Sequence, residues 1–163
     1  MNNLKNLKLI LIIIVSIALD LWSKHYMSEW LRLGQSKTII PGFFSFTLVH
    51  NRGAAFGVGS GWSTPFFLGF SILALVFVVG LFIQLKPHEK LSAVGLSMIL
   101  GGAFGNIFDR IRLGYVVDFL DVYVKNHHWP VFNVADSLIT VGAVFLGLDM
   151  LLSKKKTKET SAA

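Results

Sequence analysis

The sequence has no cysteine and only nine acidic residues among 163. The first absence excludes disulfides, thiolate nucleophiles and cysteine metal sites, and leaves the redox compartment undetermined. Nor is there a metal-binding pattern: His127 and His128 are adjacent and lack the spacing of a zinc site, so they are expected as exposed loop residues. Charged residues make up 15% of the chain, hydrophobic ones 53%, and the mean hydropathy is +0.63. A chain this short and apolar is no soluble multidomain enzyme; it is expected to be one integral-membrane domain, 1–163. The net charge of +6 does not point to nucleic acid, because the lysines flank apolar runs instead of lining a polar face with interleaved aromatics.

Lys5 and Lys8 stand at the start of an apolar run from Leu7 to Leu21, as in a secretory signal peptide. The run ends in Asp20, Trp22 and Lys24 instead of a small-residue cleavage site, which predicts an uncleaved helix over about 7–26. Asp20 and Lys24 share a helix face and are expected as a structural ion pair, with Lys24 snorkelling outward. In the outer loop 27–63, Phe44, Phe46 and Leu48 alternate with Ser45 and Thr47 after Pro41-Gly42, predicting a short strand or hairpin. The glycine-rich stretch from Asn51 to Gly61 fits neither the dinucleotide fingerprint nor the phosphate-binding loop. A flexible loop and a substrate-lining loop both remain open there.

Ser63 or Thr64 can cap a second helix, with Pro65 in its first turn, over about 64–85. A third is expected over about 91–108, where Gly101 and Gly105 form a small-xxx-small pair and Gly102, Gly105, Asn106 and Asp109 share a face. The fourth spans about 134–152, followed by a disordered cytoplasmic tail, 153–163. The fold class is thus all-α integral membrane: four transmembrane helices with a small extracytoplasmic strand and loop subdomain between the first two. Lysines near the helix ends place both termini in the cytoplasm, and Trp22, Trp30, Trp62 and Trp129 form a belt at the outer interface.

The rare carboxylates collect at that outer edge, where they are costly and therefore functional candidates. Asp118 and Asp136 flank a loop that leaves and re-enters the same surface, within the outer segment 109–133 and the start of the last helix. Two facing carboxyls cannot both ionise cheaply, so one keeps a proton. The ionised member can then activate a water while the protonated one polarises a peptide carbonyl, with no metal or cofactor. Asp136 also suits a capping box with Asn133, a role compatible with catalysis. Tyr115, Val116, Val117, Phe119 and Leu120 surround Asp118, which predicts it as the protonated member; a plain turn aspartate remains the alternative. Asp109 and Arg110 are expected to pair locally, and lysines to compensate Asp149.

Five motifs carry a resemblance: Asp20-Leu21-Trp22-Ser23-Lys24, Asn51 to Gly57, Gly101 to Arg110, Val116-Val117-Asp118-Phe119 and Phe132 to Asp136. In order and over nearly the whole chain, they resemble the motif boxes of the bacterial lipoprotein signal peptidases (signal peptidase II). The resemblance implies an inner-membrane enzyme that cuts prolipoproteins just before a diacylglyceryl-modified cysteine. It implies Asp118 and Asp136 as the catalytic dyad, Asn51, Gly53, Asn106, Arg110, Asn133 and Ala135 as substrate-binding or supporting residues, and Asp20 and Lys24 as structural. Prolipoproteins and membrane lipids are the implied partners, and a monomer is expected. A small proton-coupled transporter, using the same carboxylates as a relay, and a non-catalytic assembly factor are the alternatives. The transporter predicts an internal repeat, and none is evident.

Overall fold

The computed structural model describes residues 3–53 and 64–161. In order these form α1 (Asn3–Trp30), β1 (Ser36–Ile40), β2 (Phe44–Asn51), α2 (Thr64–Ile83), α3 (Lys90–Leu113), β3 (Val116–Val124), β4 (His127–His128) and α4 (Val134–Ser161). Helix α3 is the hub, in contact with α1, α2 and α4. Its small residues are why. A Cβ on Gly95 would sit 2.5 Å from the carbonyl oxygen of Gly142 on α4, and one on Gly105 would collide with the Asp20 carboxylate on α1. Glycine at these points lets the backbones approach closely.

Three helices are long and apolar enough to cross a membrane among the described residues: Pro65–Ile83, Lys90–Leu113 and Val134–Leu152. Four were expected from the sequence. Helix α1, the remaining one, exposes Leu7, Ile10, Leu11, Ile14 and Leu19 but also carries the buried Asp20 and Lys24.

Three helices run past the bounds expected from the sequence, α1 starting at Asn3 and continuing to Trp30 instead of spanning 7–26. Helix α3 continues past residue 108 to Leu113, so Asp109 and Arg110 are helical and not part of an outer loop. Gly114 ends it at φ 78°, donating its N–H to the Arg110 carbonyl, the left-handed terminator that glycine adopts without cost. Helix α4 continues to Ser161 where a disordered tail was expected. No proline interrupts it beyond Val134, and Lys and Glu are good helix formers.

The expected hairpin forms, turning at Gly42 (φ 77°) between β1 and β2. It belongs to a larger antiparallel sheet, ordered β1-β2-β3-β4. Strand β3 lies in what the sequence suggested was loop, and Asp118 sits on it opposite Val49. Met27 and Leu31 of α1 and its end pack with Leu48, Val117 and Phe119 of the sheet, seating β3 on the helices. The expected cap at Ser63, Trp62 and the stretch from Ala54 to Gly61 lie outside the described residues.

Candidate active site

The first turn of α4 is built by a reciprocal cap. Asn133 Oδ1 accepts the Asp136 N–H at 2.9 Å, and Asp136 Oδ2 accepts the Asn133 N–H at 3.3 Å. This places the Asp136 carboxylate at the positive end of the helix dipole. Asn106 of α3 donates to the other oxygen, Oδ1, at 2.8 Å.

Asp118 is held differently. It is 1% exposed on β3, accepting from Asn51 Nδ2 at 2.9 Å and from Asn133 Nδ2 at 2.7 Å. Burial, then the nearby charge of Asp136, push its carboxyl up to about 7, against the opposing pull of those two donors. Asn133 therefore touches both aspartates, one by side-chain N–H and one through the cap.

Both carboxyls open on a cleft of about 640 Å³ lined also by Asn51, Gly53, Asn106 and Arg110. Its far walls are Trp129 to Phe132 and Ile139 to Val141. Nothing in the local sequence pattern marked these walls; the bridge between Leu120 and Phe132 is what folds the segment back over β3. The Asn51 amide is fixed because its Oδ1 accepts the Gly53 N–H at 3.0 Å, leaving Nδ2 to face Asp118. Arg110 donates to the carbonyls of Gly53 and Asn106, each at 3.4 Å. Asn133 and Ala135 do not line the cleft. Ala135 is fully buried, and its N–H donates to Asp20 Oδ1 at 2.8 Å, so it ties α4 to α1.

Behind the cleft, Lys24 is 3% exposed and does not snorkel. Its Nζ lies 2.8 Å from Asp20 and 3.0 Å from Asp109, and donates to Asn106 Oδ1 at 2.9 Å. Because an ammonium only donates, Asn106 must turn its oxygen to Lys24 and its N–H₂ to Asp136.

Asp109 thus pairs with Lys24, and accepts the Val117 N–H at 3.1 Å, instead of pairing with Arg110 as expected. Adjacent helix residues face different ways, which separates the two. Asp149 accepts from the N–H and hydroxyl of Ser92 at 2.9 and 2.6 Å, near the start of α3; the lysine side chains expected to compensate it lie outside the described ones. The histidines lie in β4, not in a loop. Both are exposed, as expected, and His128 also contacts the buried Asp121 at 2.8 Å and stacks on Tyr123. No cluster of metal-ligating side chains occurs among the described residues.

Apolar helices of spanning length around a cleft with paired carboxylates define a membrane-embedded enzyme. Two solved structures described as bacterial membrane enzymes share the fold. One superposes with a TM-score of 0.82 at 32% identity, covering 91% of this chain and 90% of that one. The other gives 0.77 at 33%, covering 88% and 92%. The chain belongs to the signal peptidase II family, whose model matches residues 12–152, and is a protease. It is 45% identical to the lipoprotein signal peptidase of Geobacter metallireducens over 87% of this chain and 89% of that one. The lipoprotein signal peptidase of Francisella tularensis subsp. novicida is 41% identical over 96% of this chain and its own full length.

Proposed function

We propose that this protease is an aspartyl endopeptidase that removes signal peptides from diacylglyceryl-modified prolipoproteins, cutting just before the lipidated cysteine. The observation that carries the mechanism is the unlike surroundings of two carboxyls in one cleft: Asp118 is buried with its proton held up to about 7, and Asp136 sits at a helix N-terminus. Asp136, ionised, takes a proton from a water, and the resulting oxygen nucleophile adds to the scissile carbonyl carbon. Asp118 gives its proton to the carbonyl oxygen. The intermediate collapses as the C–N bond breaks, the leaving nitrogen takes the proton from Asp136, and a hydroxyl of the intermediate returns one to Asp118. Asn133 and Asn106 fix the carboxyls, and Asn51 and Gly53 with Arg110 present polar groups to the substrate backbone.

In this reading α1 is the fourth span, both termini face the cytoplasm, and the dyad lies near the outer face of the bacterial inner membrane. An apolar signal helix entering sideways between the spans delivers its cleavage point to that depth, under the sheet. The enzyme acts as a monomer with no cofactor. The lipoprotein signal peptidase names of the relatives support the substrate class.

Mass spectrometry of the products from purified enzyme and a diacylglyceryl-prolipoprotein tests the proposal. The expected mature product begins at the lipidated cysteine, and the unlipidated precursor is cut far more slowly. Cleavage elsewhere, or indifference to the lipid, would refute the substrate assignment.

A further inference from the structure

Back to back with the carboxylate cleft lies a second of about 920 Å³, between the ends of α1 and α3 and the sheet. The two share no lining residue. Leu48 and Val117, both buried, close its inner wall, with Leu21 and Phe108 from the helices. Glu29, Arg32 and Arg112 also line it. Lys24 and Asp109 in the same wall satisfy one another, but Glu29, Arg32 and Arg112 enter no ion pair among the described residues. Glu29, Arg32 and Arg112 are exposed, so charges of both signs stand on the open side of a cleft whose inner wall is apolar, as in a site for an amphipathic ligand.

The charge balance narrows the ligand. The C-termini of α1 and α3 each carry roughly half a negative charge, which one guanidinium would offset. Two guanidiniums exceed that demand, and Glu29 adds a full negative charge nearby. The surroundings therefore suit a headgroup with both signs. The depth is marked by Trp22, Tyr26 and Trp30, an exposed ladder on α1 with successive ring centroids 5.8 and 6.2 Å apart, as at a membrane–water interface. The exposed Leu19 and Ile111 continue this region into the apolar faces of α1 and α3. A soluble anion would leave the apolar wall unused, and a purely anionic lipid would face Glu29.

We propose that this cleft holds a membrane phospholipid whose headgroup joins a phosphate diester to a primary ammonium. Arg32 and Arg112 take the phosphate, whose oxygens match the guanidinium fork. Glu29 takes the ammonium, and the acyl chains leave along Leu21 and Phe108. The site is separate from the carboxylate cleft, so its occupancy is testable while proteolysis continues.

The test is native mass spectrometry of the full chain released from vesicles of equal phosphatidylethanolamine, phosphatidylglycerol and phosphatidylcholine. Wild type is expected to retain one phosphatidylethanolamine, favoured about tenfold over phosphatidylglycerol, the factor of one charge-assisted contact. Arg32→Ala/Arg112→Ala should lose the lipid yet still cleave substrate with unchanged KM, and Glu29→Gln should erase the headgroup preference. Inorganic phosphate should not displace the lipid. Equal retention of all three lipids, retention unchanged in the double variant, or displacement by phosphate overturns the proposal. So does a raised KM in the double variant without lipid loss, which would give the cleft to the substrate.

Discussion

Asp136→Asn and Asp118→Asn are each expected to lower kcat by about a thousandfold, within the range that positioned acid–base groups supply, while leaving the protein folded. Asparagine keeps the volume of each side chain and one acceptor for Asn106 or Asn133. What it removes is, at one position, the base that takes the proton from water and, at the other, the acid that gives one to the carbonyl. Activity should also fall in wild type as pH rises through about 7, where the raised Asp118 carboxyl loses its proton. The sign follows from the direction of the shift: a carboxyl held above its ordinary range is protonated below that pH and ionised above it. Single-turnover cleavage across pH, with folding checked by circular dichroism, measures both effects. Normal turnover by either variant would remove the aspartyl mechanism.

Lys24→Met is expected to destabilise the fold by about 3–5 kcal/mol, the cost of removing one partner from a buried ion cluster. Methionine fills similar space, so the loss is not one of packing. Asp20 and Asp109 would stay buried with no cation between them, and Asn106 would lose the donor that fixes its orientation toward Asp136. Neutralising the acids as well, in Lys24→Met/Asp20→Asn/Asp109→Asn, should recover a large part of the stability, because the unpaired charges are gone. Denaturation in matched lipid or detergent reads this directly. A Lys24→Met protein as stable as wild type would mean that the cluster does not hold α1 to α3.

How much of this was legible in the sequence depended on how local each feature is. The cap joining Asn133 to Asp136 is a three-residue relation, so the pattern gives it away. The hairpin around Gly42 announces itself by the alternation of Phe44, Phe46 and Leu48 with Ser45 and Thr47 after a Pro-Gly turn. Strand β3 hides because both faces of Val116 to Phe119 are buried, which erases the period of two. Lys24 looks like a snorkelling residue on an isolated helix. Only the arrival of Asp109, from a helix far along the chain, makes burial tolerable. The same long-range packing turns Arg110 toward Gly53 and away from Asp109. Gly101 and Gly105 of α3 were visible as a close-approach pair, but not that both receive α1, nor that Gly95 receives α4.

The central claim is that the two carboxyls of the cleft hold a proton near neutral pH and that it resides on Asp118. Infrared difference spectroscopy of the carboxyl C=O stretch, titrated in lipid, tests it most directly. The dyad predicts a protonated-carboxyl band that disappears with a midpoint about 7 and is missing in Asp118→Asn. A band that titrates only below roughly pH 5, as ordinary aspartates do, or one that survives unchanged in Asp118→Asn, would contradict it.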